Sequence, residues 1–310
     1  ATEGNNLALL GHARWKAIRL GRPGHLITVA TEHSAVLDPI HQLQREGFSV
    51  TELMPGPSGI LQVDQLEEAF QNDTLLVSIM LANNEIGVIQ PIKECANLCK
   101  ERGITFHTDA AQGFGYMPLN LNELGVDLLT FSGHKIYGPK GIGALFIARN
   151  IDIQPLQWGG GQEKGLRPGT LPLPLVVGFA KAAEIAFRDL ETSQTNIAHL
   201  RDELLYGLRE EIPDLIVNGS MNKRLFHNLN LTFPGVLGSR LQRDIRNLIT
   251  CSSGSACSQG KPSHVLRAIG RSRAESEASL RLSLGRGTTL SEVKQAISLI
   301  SGVVKNLHNK

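Results

Sequence analysis

Lys135 is the residue around which the chemistry of this sequence is arranged. It stands in Thr130-Phe-Ser-Gly-His-Lys-Ile-Tyr-Gly-Pro-Lys-Gly141, directly after the small polar triplet Ser132-Gly133-His134. An apolar run over 126–131 leads into it. A Gly/Pro-rich turn from Gly138 to Gly143 follows, and then a second β-like run from Ala144 to Ala148. That framing places the lysine at a strand end, in a stiff loop. An amine desolvated there can shed its proton and attack an aldehyde, as a Schiff-base lysine must. Taken alone, Ser-Gly-His-Lys would equally suit a solvated lysine in a hairpin turn. Its company decides between the two.

Asp109 precedes it in His107-Thr-Asp-Ala-Ala-Gln112. A carboxylate facing a pyridine nitrogen keeps that nitrogen protonated, which makes pyridoxal phosphate a strong electron sink. An isolated aspartate here would merely cap a turn; the lysine motif tips the reading towards chemistry. Thr2, read as the N-cap of a first helix, with Ser132 and His134, would suit a phosphate. His33 can stack on a ring and relay protons, or serve the fold alone. Cys257 lies in Thr250-Cys-Ser-Ser-Gly-Ser-Ala-Cys-Ser-Gln-Gly-Lys261, a loop too polar and small-sided to bury a thiol. An accessible thiol beside cations can ionise and attack, whereas Cys251, at a strand end, reads as core. Arg281 interrupts the alternating strand Leu280-Arg-Leu-Ser-Leu284 and can grip a carboxylate through two parallel hydrogen bonds. Arg286, in Gly285-Arg-Gly287, reads as a turn. Cys95 and Cys99 share a helix face, but no neighbouring ligands make them a metal site.

The elements that must position these residues alternate along the first half. Strands are expected at Leu26–Ala30, Phe48–Leu53, Thr74–Leu81 and Ile104–Thr108, with helices at Ala35–Glu46, Val63–Phe70 and Pro91–Arg102 between them. Such alternation means a mostly parallel sheet with right-handed crossovers, and ligands bind beyond the strand C-termini. His33, Asn84, Asp109 and Lys135 all fall at such ends. Helical patterns then cover roughly Pro172 to Glu210, with a hinge expected between Asp189 and Thr195. Short strands, a helix near Ser239–Leu248 and a last helix near Ser291–Leu307 suggest a small α+β domain. The expected division is 1–191, a large domain, and 192–310, a small C-terminal one carrying the Cys257 loop. The chain opens at Ala1 with a helix under way, so a leading segment is expected to be missing.

Composition narrows the classes. With 310 residues, 31 Lys+Arg against 29 Asp+Glu, and 41% hydrophobic residues, the chain reads as a globular α/β protein with no nucleic-acid or membrane surface. Four cysteines at uneven spacing form no disulfide framework, which suggests a reducing cytoplasm.

The assembled motifs resemble the cysteine desulfurases of the NifS/IscS-like branch, within the fold-type I pyridoxal-phosphate enzymes (class-V aminotransferase family). The matching stretches are Ala1-Thr-Glu-Gly-Asn-Asn6, Thr31-Glu-His-Ser-Ala-Val-Leu-Asp38, Asn83-Asn-Glu-Ile-Gly87, His107–Gln112, Ser132–Gly143, Arg167-Pro-Gly-Thr170, Ser252-Ser-Gly-Ser-Ala-Cys257 and Leu280–Arg286. The resemblance implies pyridoxal 5'-phosphate on Lys135, with Asp109 on its ring nitrogen. It implies Asn84 and Gln112 at the ring oxygen, and His33 stacked on the ring. Thr2, Ser132 and His134 would hold the phosphate, helped by Thr170 across a homodimer interface. Arg281, with Asn84, would bind the carboxylate of L-cysteine, and Cys257 would take the sulfur as a persulfide, leaving alanine. An iron–sulfur scaffold or a thiolation relay would then accept the sulfur. A cystine or selenocysteine lyase on the same scaffold, or an idle sulfur-transfer or scaffold protein, is the alternative. Two departures stand out. The interval from Cys257 to Pro262 is short, and Pro168 stands where serine is common.

Overall fold

The computed structural model describes residues 1–252 and 262–309. They divide into two compact units. The first comprises 1–54, 61–82 and 90–188, and the second 55–60, 83–89 and 189–310. Two short stretches from the first half thus belong with the second unit, which a division of the chain at a single point does not capture.

The first unit opens with a continuous helical run: α1 (Thr2–Asn6), a π-helical segment (Leu7–Gly11) and α2 (His12–Leu20). Strand β1 (His25–Val29) leads through α3 (Ser34–Arg45) to β2 (Ser49–Leu53). Helix α4 (Val63–Ala69) precedes β3 (Thr74–Ser78), and α5 (Ile92–Glu101) precedes β4 (Thr105–Asp109). After the short α6 (Leu121–Leu124) come β5 (Leu128–Ser132) and β6 (Gly143–Ile147), and α7 (Leu173–Arg188) ends the unit. The sheet order is β2-β1-β3-β4-β5-β6, parallel except for β6, which runs antiparallel to β5.

Successive side chains of a strand point to opposite faces, and the apolar pairs here feed two cores. Leu26, Leu76 and Leu128 pack with Leu9, Ala13, Val36, Ile40 and Leu43 on one face. Ile27, Val77 and Leu129 pack with Leu66, Ile92, Cys95, Cys99 and Phe106 on the other. Burial pushes the thiol of Cys95 up to about 12 and raises that of Cys99 as well. Both are inert apolar fillers.

The second unit contains α8 (Leu190–Glu211), β7 (Ile216–Val217), β8 (Asn228–Thr232), α9 (Gly238–Ile245), α10 (His264–Ala268), α11 (Arg273–Glu277), β9 (Ser279–Ser283) and α12 (Leu290–His308). Its three strands form an antiparallel sheet in the order β7-β8-β9. The expected hinge between the long helices narrows to Asp189. One expectation fails. Thr2 is the first residue of α1 rather than its cap; Ala1 takes the N-cap position, and no side chain bonds the open amides there.

Candidate active site

Each unit carries part of the predicted residue set. In the first, β4 and β5 run side by side with Asp109 opposite Thr130, so the chain leaves both strands at one sheet end. Asp109 is buried, and its two carboxylate oxygens have separate donors. Asn5 Nδ2 donates to Oδ2 at 2.6 Å, and the Ala111 amide donates to Oδ1 at 2.8 Å. Two hydrogen bonds of this kind fix the direction in which the carboxylate points. Asn5 reaches the aspartate because α1 approaches the sheet closely. A Cβ on Gly4 would lie 2.8 Å from Thr130 Cγ2, so a side chain there would push the helix away.

Beneath Asp109, two positions back along β4, His107 is fully buried between Ser78 Oγ (2.8 Å to Nδ1) and Thr130 Oγ1 (3.1 Å to Nε2). Burial lowers its pKa to about 3, so it bridges β3, β4 and β5 as a neutral imidazole. Glu32, also fully buried, accepts the Met80 amide at 2.5 Å, and burial together with the nearby Asp109 pushes its carboxyl well above the usual range. Next to it, His33 caps α3, its Nδ1 accepting from the Ala35 amide at 3.1 Å.

At the end of β5, Ser132 is buried and its Oγ lies 2.8 Å from His134 Nδ1. Partial burial, with Lys135 and Lys140 adding to it, lowers the His134 pKa. Lys135 sits in a short 3-10 turn, Gly133–Ile136, ended by Tyr137 in the left-handed region at φ 66°. Tyr116 donates its hydroxyl to the Lys135 carbonyl at 2.9 Å, so the lysine backbone is pinned although its side chain is exposed. A desolvated amine was expected. Lys135 instead projects where the chain has already left the sheet, beyond the buried Ser132. Thr2 is exposed at the start of α1, Gln112 is half-buried just after Asp109, and Thr170 is exposed in the loop before α7.

In the second unit the structure joins Arg281 and Asn84. Arg281, on β9, donates Nη1 to the Asn84 carbonyl at 2.9 Å, and its backbone bridges to Ser252. The buried Asn84 Oδ1 has no partner among the described residues. Cys257 lies outside the described residues. Cys251 is half-buried, its thiol raised by burial, and it lines a cleft with Gln242, Arg243 and Arg246.

Asn5, Glu32, His107 and Glu85 were not singled out as functional in the sequence. None of them left a usable local trace there; Asn5, for one, is separated by Asn6 from the apolar stretch Leu7–Leu10.

Residues 1–296 match the profile of the aminotransferase class-V family. The cysteine desulfurase IscS of Rickettsia bellii is 44% identical over 313 residues, covering 100% of this chain and 75% of that protein. The chain belongs to the class-V aminotransferase family. Within it, the match places the protein on the cysteine desulfurase branch. A solved structure titled as a NifS-like protein superposes with a TM-score of 0.90 at 35% identity, covering 99% of this chain and 81% of the other. A second, titled SspA in complex with cysteine, gives a TM-score of 0.76 at 39% identity over 91% of this chain and 79% of the other. The six-stranded sheet with its antiparallel edge strand is therefore the fold-type I architecture of this family. No helix among the described residues is long and apolar enough to cross a membrane.

Proposed function

We propose that this desulfurase converts L-cysteine to L-alanine and moves the sulfur onto Cys257 as a persulfide. The observation that carries the reading is the pairing on neighbouring strand ends. Asp109 is buried and held by two donors at the end of β4, and Lys135 is pinned through its backbone just past β5.

The first unit's polar set fits pyridoxal 5'-phosphate chemically. A fixed carboxylate suits a protonated ring nitrogen, and a hydroxyl–imidazole pair beside a lysine suits a phosphate dianion. Lys135 would hold the cofactor covalently, with Asp109, Asn84, Gln112 and His33 toward its ring and Thr2, Ser132, His134 and Thr170 toward its phosphate. When bound, the cofactor supplies the electron sink that acidifies the substrate's α-carbon. Arg281 would orient the substrate carboxylate, with its guanidinium already steadied by Asn84. Lys135 Nζ would take the α-proton, and the Cys257 thiolate would attack the substrate sulfur as the carbon–sulfur bond breaks. Cysteine and one enzyme thiol thus become alanine and one enzyme persulfide, with no outside oxidant. A sulfur-accepting protein, whether an iron–sulfur scaffold or a thiolation relay, completes the cycle.

We also infer a homodimer. Leu173, Val176 and Val177 are exposed on α7, and Leu171 and Trp158 are exposed in the stretch before it, an apolar run that water alone does not favour.

Single turnover with cysteine tests the chemistry, following alanine release and persulfide on Cys257. Wild type gives both, Lys135→Ala gives neither, and Cys257→Ala gives no persulfide and loses turnover. Full turnover in Cys257→Ala would replace the desulfurase with a lyase.

A further inference from the structure

The second unit buries a cation to which the proposed reaction assigns no task. Arg224 is 7% exposed, and no carboxylate pairs with it among the described residues. Burial, with Arg201 adding to it, lowers its pKa to about 10, which leaves it charged at neutral pH. A buried charge is costly unless hydrogen bonds replace its water. Arg224 finds them in four oxygens. Nε donates to the Ser220 carbonyl at 3.1 Å, and Nη2 donates to the carbonyls of Asn218 and of Gly219, the latter at 3.2 Å. Nη1 donates to Asn228 Oδ1 at 3.4 Å. Three of these acceptors lie in the bend after β7, and the fourth is the first residue of β8.

Both ends of this span bear on the turn over 83–89. Gly219, in the bend, has φ 79°, and a Cβ there would meet Val88 Cγ2 at 2.7 Å. The backbone on either side of Arg224 bonds to the turn directly: the Leu225 amide donates to the Gly87 carbonyl and the Ile89 amide to the Lys223 carbonyl, each at 2.8 Å. Asn228 and Asn230 both donate side-chain amides to the Glu85 carbonyl, at 3.2 and 3.1 Å. Glu85 Oε2 accepts from Ser263 Oγ at 2.5 Å, which ties the turn to the start of α10 as well.

The residue before Glu85 is Asn84, and its carbonyl is the one that Arg281 Nη1 reaches at 2.9 Å. Arg281 stands opposite Asn230 in the pairing of β9 with β8. Two side chains facing each other across the sheet therefore hold two adjacent carbonyls of one turn. A displaced turn would carry the Arg281 guanidinium with it.

We propose that Arg224 is a positioning residue for recognition of the substrate carboxylate: by holding Asn228 and the 218–220 bend against the 83–89 turn, it sets where Asn84 places the Arg281 guanidinium. The assignment rests on Arg281 being the carboxylate grip. Its effect falls on ligands that carry a carboxylate and spares those that do not, because Arg224 is not among the residues that meet substrate or cofactor.

The experiment compares Arg224→Met, Arg224→Lys, Asn228→Ala and the double variant Arg224→Met/Asn228→Ala with wild-type holoenzyme. The probes are L-alanine, the product of the proposed reaction, and ethylamine, the same molecule without its carboxylate. Affinities are read from the absorbance change on titration. The dissociation constant for L-alanine rises about tenfold in Arg224→Met and in Asn228→Ala, as a two-bond grip misplaced by a fraction of an ångström would show. That for ethylamine stays within about twofold. The double variant loses less than the product of the two single losses, because both act through one turn. Arg224→Lys keeps the charge but has a single head that cannot span the bend and Asn228 together, so it shows the same selective loss. In cofactor-free protein, amide exchange over 83–89, followed by peptide mass, quickens in these variants while exchange over β3 in the first unit does not. Should Arg224→Met fail to fold, Arg224→Lys decides the matter. Equal losses for both ligands, wild-type affinities in the Arg224 variants, multiplied losses in the double variant, or unchanged exchange over 83–89 would overturn the proposal. If wild type itself binds ethylamine as tightly as L-alanine, Arg281 is not the grip, and that part of the functional reading falls and takes the proposal with it. Where wild type discriminates and the Arg224 variants discriminate equally well, the proposal alone falls.

Discussion

At the scale of single residues, Asn5 and His107 carry more than their sequence neighbourhood suggests. Asn5→Ala leaves one oxygen of a buried carboxylate without its donor. It should cost about 1.5–3 kcal/mol in urea unfolding, the usual worth of a bond to a charged group. A loss well under 0.5 kcal/mol would mean that water replaces the amide. His107 has a folded-state pKa of about 3 against an ordinary 6.5, so between those values the unfolded chain binds a proton that the folded chain refuses. Stability should therefore fall as pH drops below about 6.5, by up to roughly 1.4 kcal/mol per pH unit from this group. Urea titrations at pH 7 and pH 5 should show a flatter dependence in His107→Gln; parallel slopes would remove His107 from the account. Lys135 and Asp109 stood out in the sequence because small and polar residues interrupt apolar strands at their positions. Asn5 and Glu85 did not, because their meaning lies in partners 104 and 178 residues away. No local spacing encodes such a pair.

At the scale of elements, the alternation of apolar runs placed the sheet and its helices well, and the termini poorly. Thr2 has the chemistry of a cap, yet the helix begins one residue earlier, at a position where no side chain satisfies the amides. The break between the long helices was legible as a region because leucine spacing falters there, and packing alone narrows it to Asp189. Gly11 had no visible role in the sequence. In the fold it closes the π-helical segment, and an added Cβ would meet Ile153 Cγ2 at 2.5 Å and the Gln154 carbonyl at 2.6 Å. Gly11→Ala should lose about 1–3 kcal/mol, the usual result of overpacking against backbone. Gly302, within α12, faces open space, so Gly302→Ala should instead gain about 0.5–1 kcal/mol from helix propensity. Chemical denaturation of both variants checks the pair, and equal signs would show that local space does not govern these glycines.

At the scale of the whole molecule, the parallel sheet followed the alternating strands and helices of the first half, while the discontinuous make-up of the second unit left no mark in the sequence. The turn over 83–89 reads locally as a strand-end loop, and only its contacts with β8, β9 and α10 assign it elsewhere. The apolar surface of α7 bears on assembly. Under the homodimer proposed above, Val177→Asp should lower the sedimenting mass by half, and unchanged sedimentation would remove this helix from the proposed interface. The buried pair Cys95 and Cys99 gives the first unit a reporter of its own. Their sulfurs have no exposure and protonated thiols, so a hydrogen-exchange-like regime applies: a reagent meets them only when α5 lifts from the sheet. The speed at which these two sites become modified in native buffer is then a clock for rare opening of the sheet core, ticking independently of the chemistry proposed elsewhere in the chain.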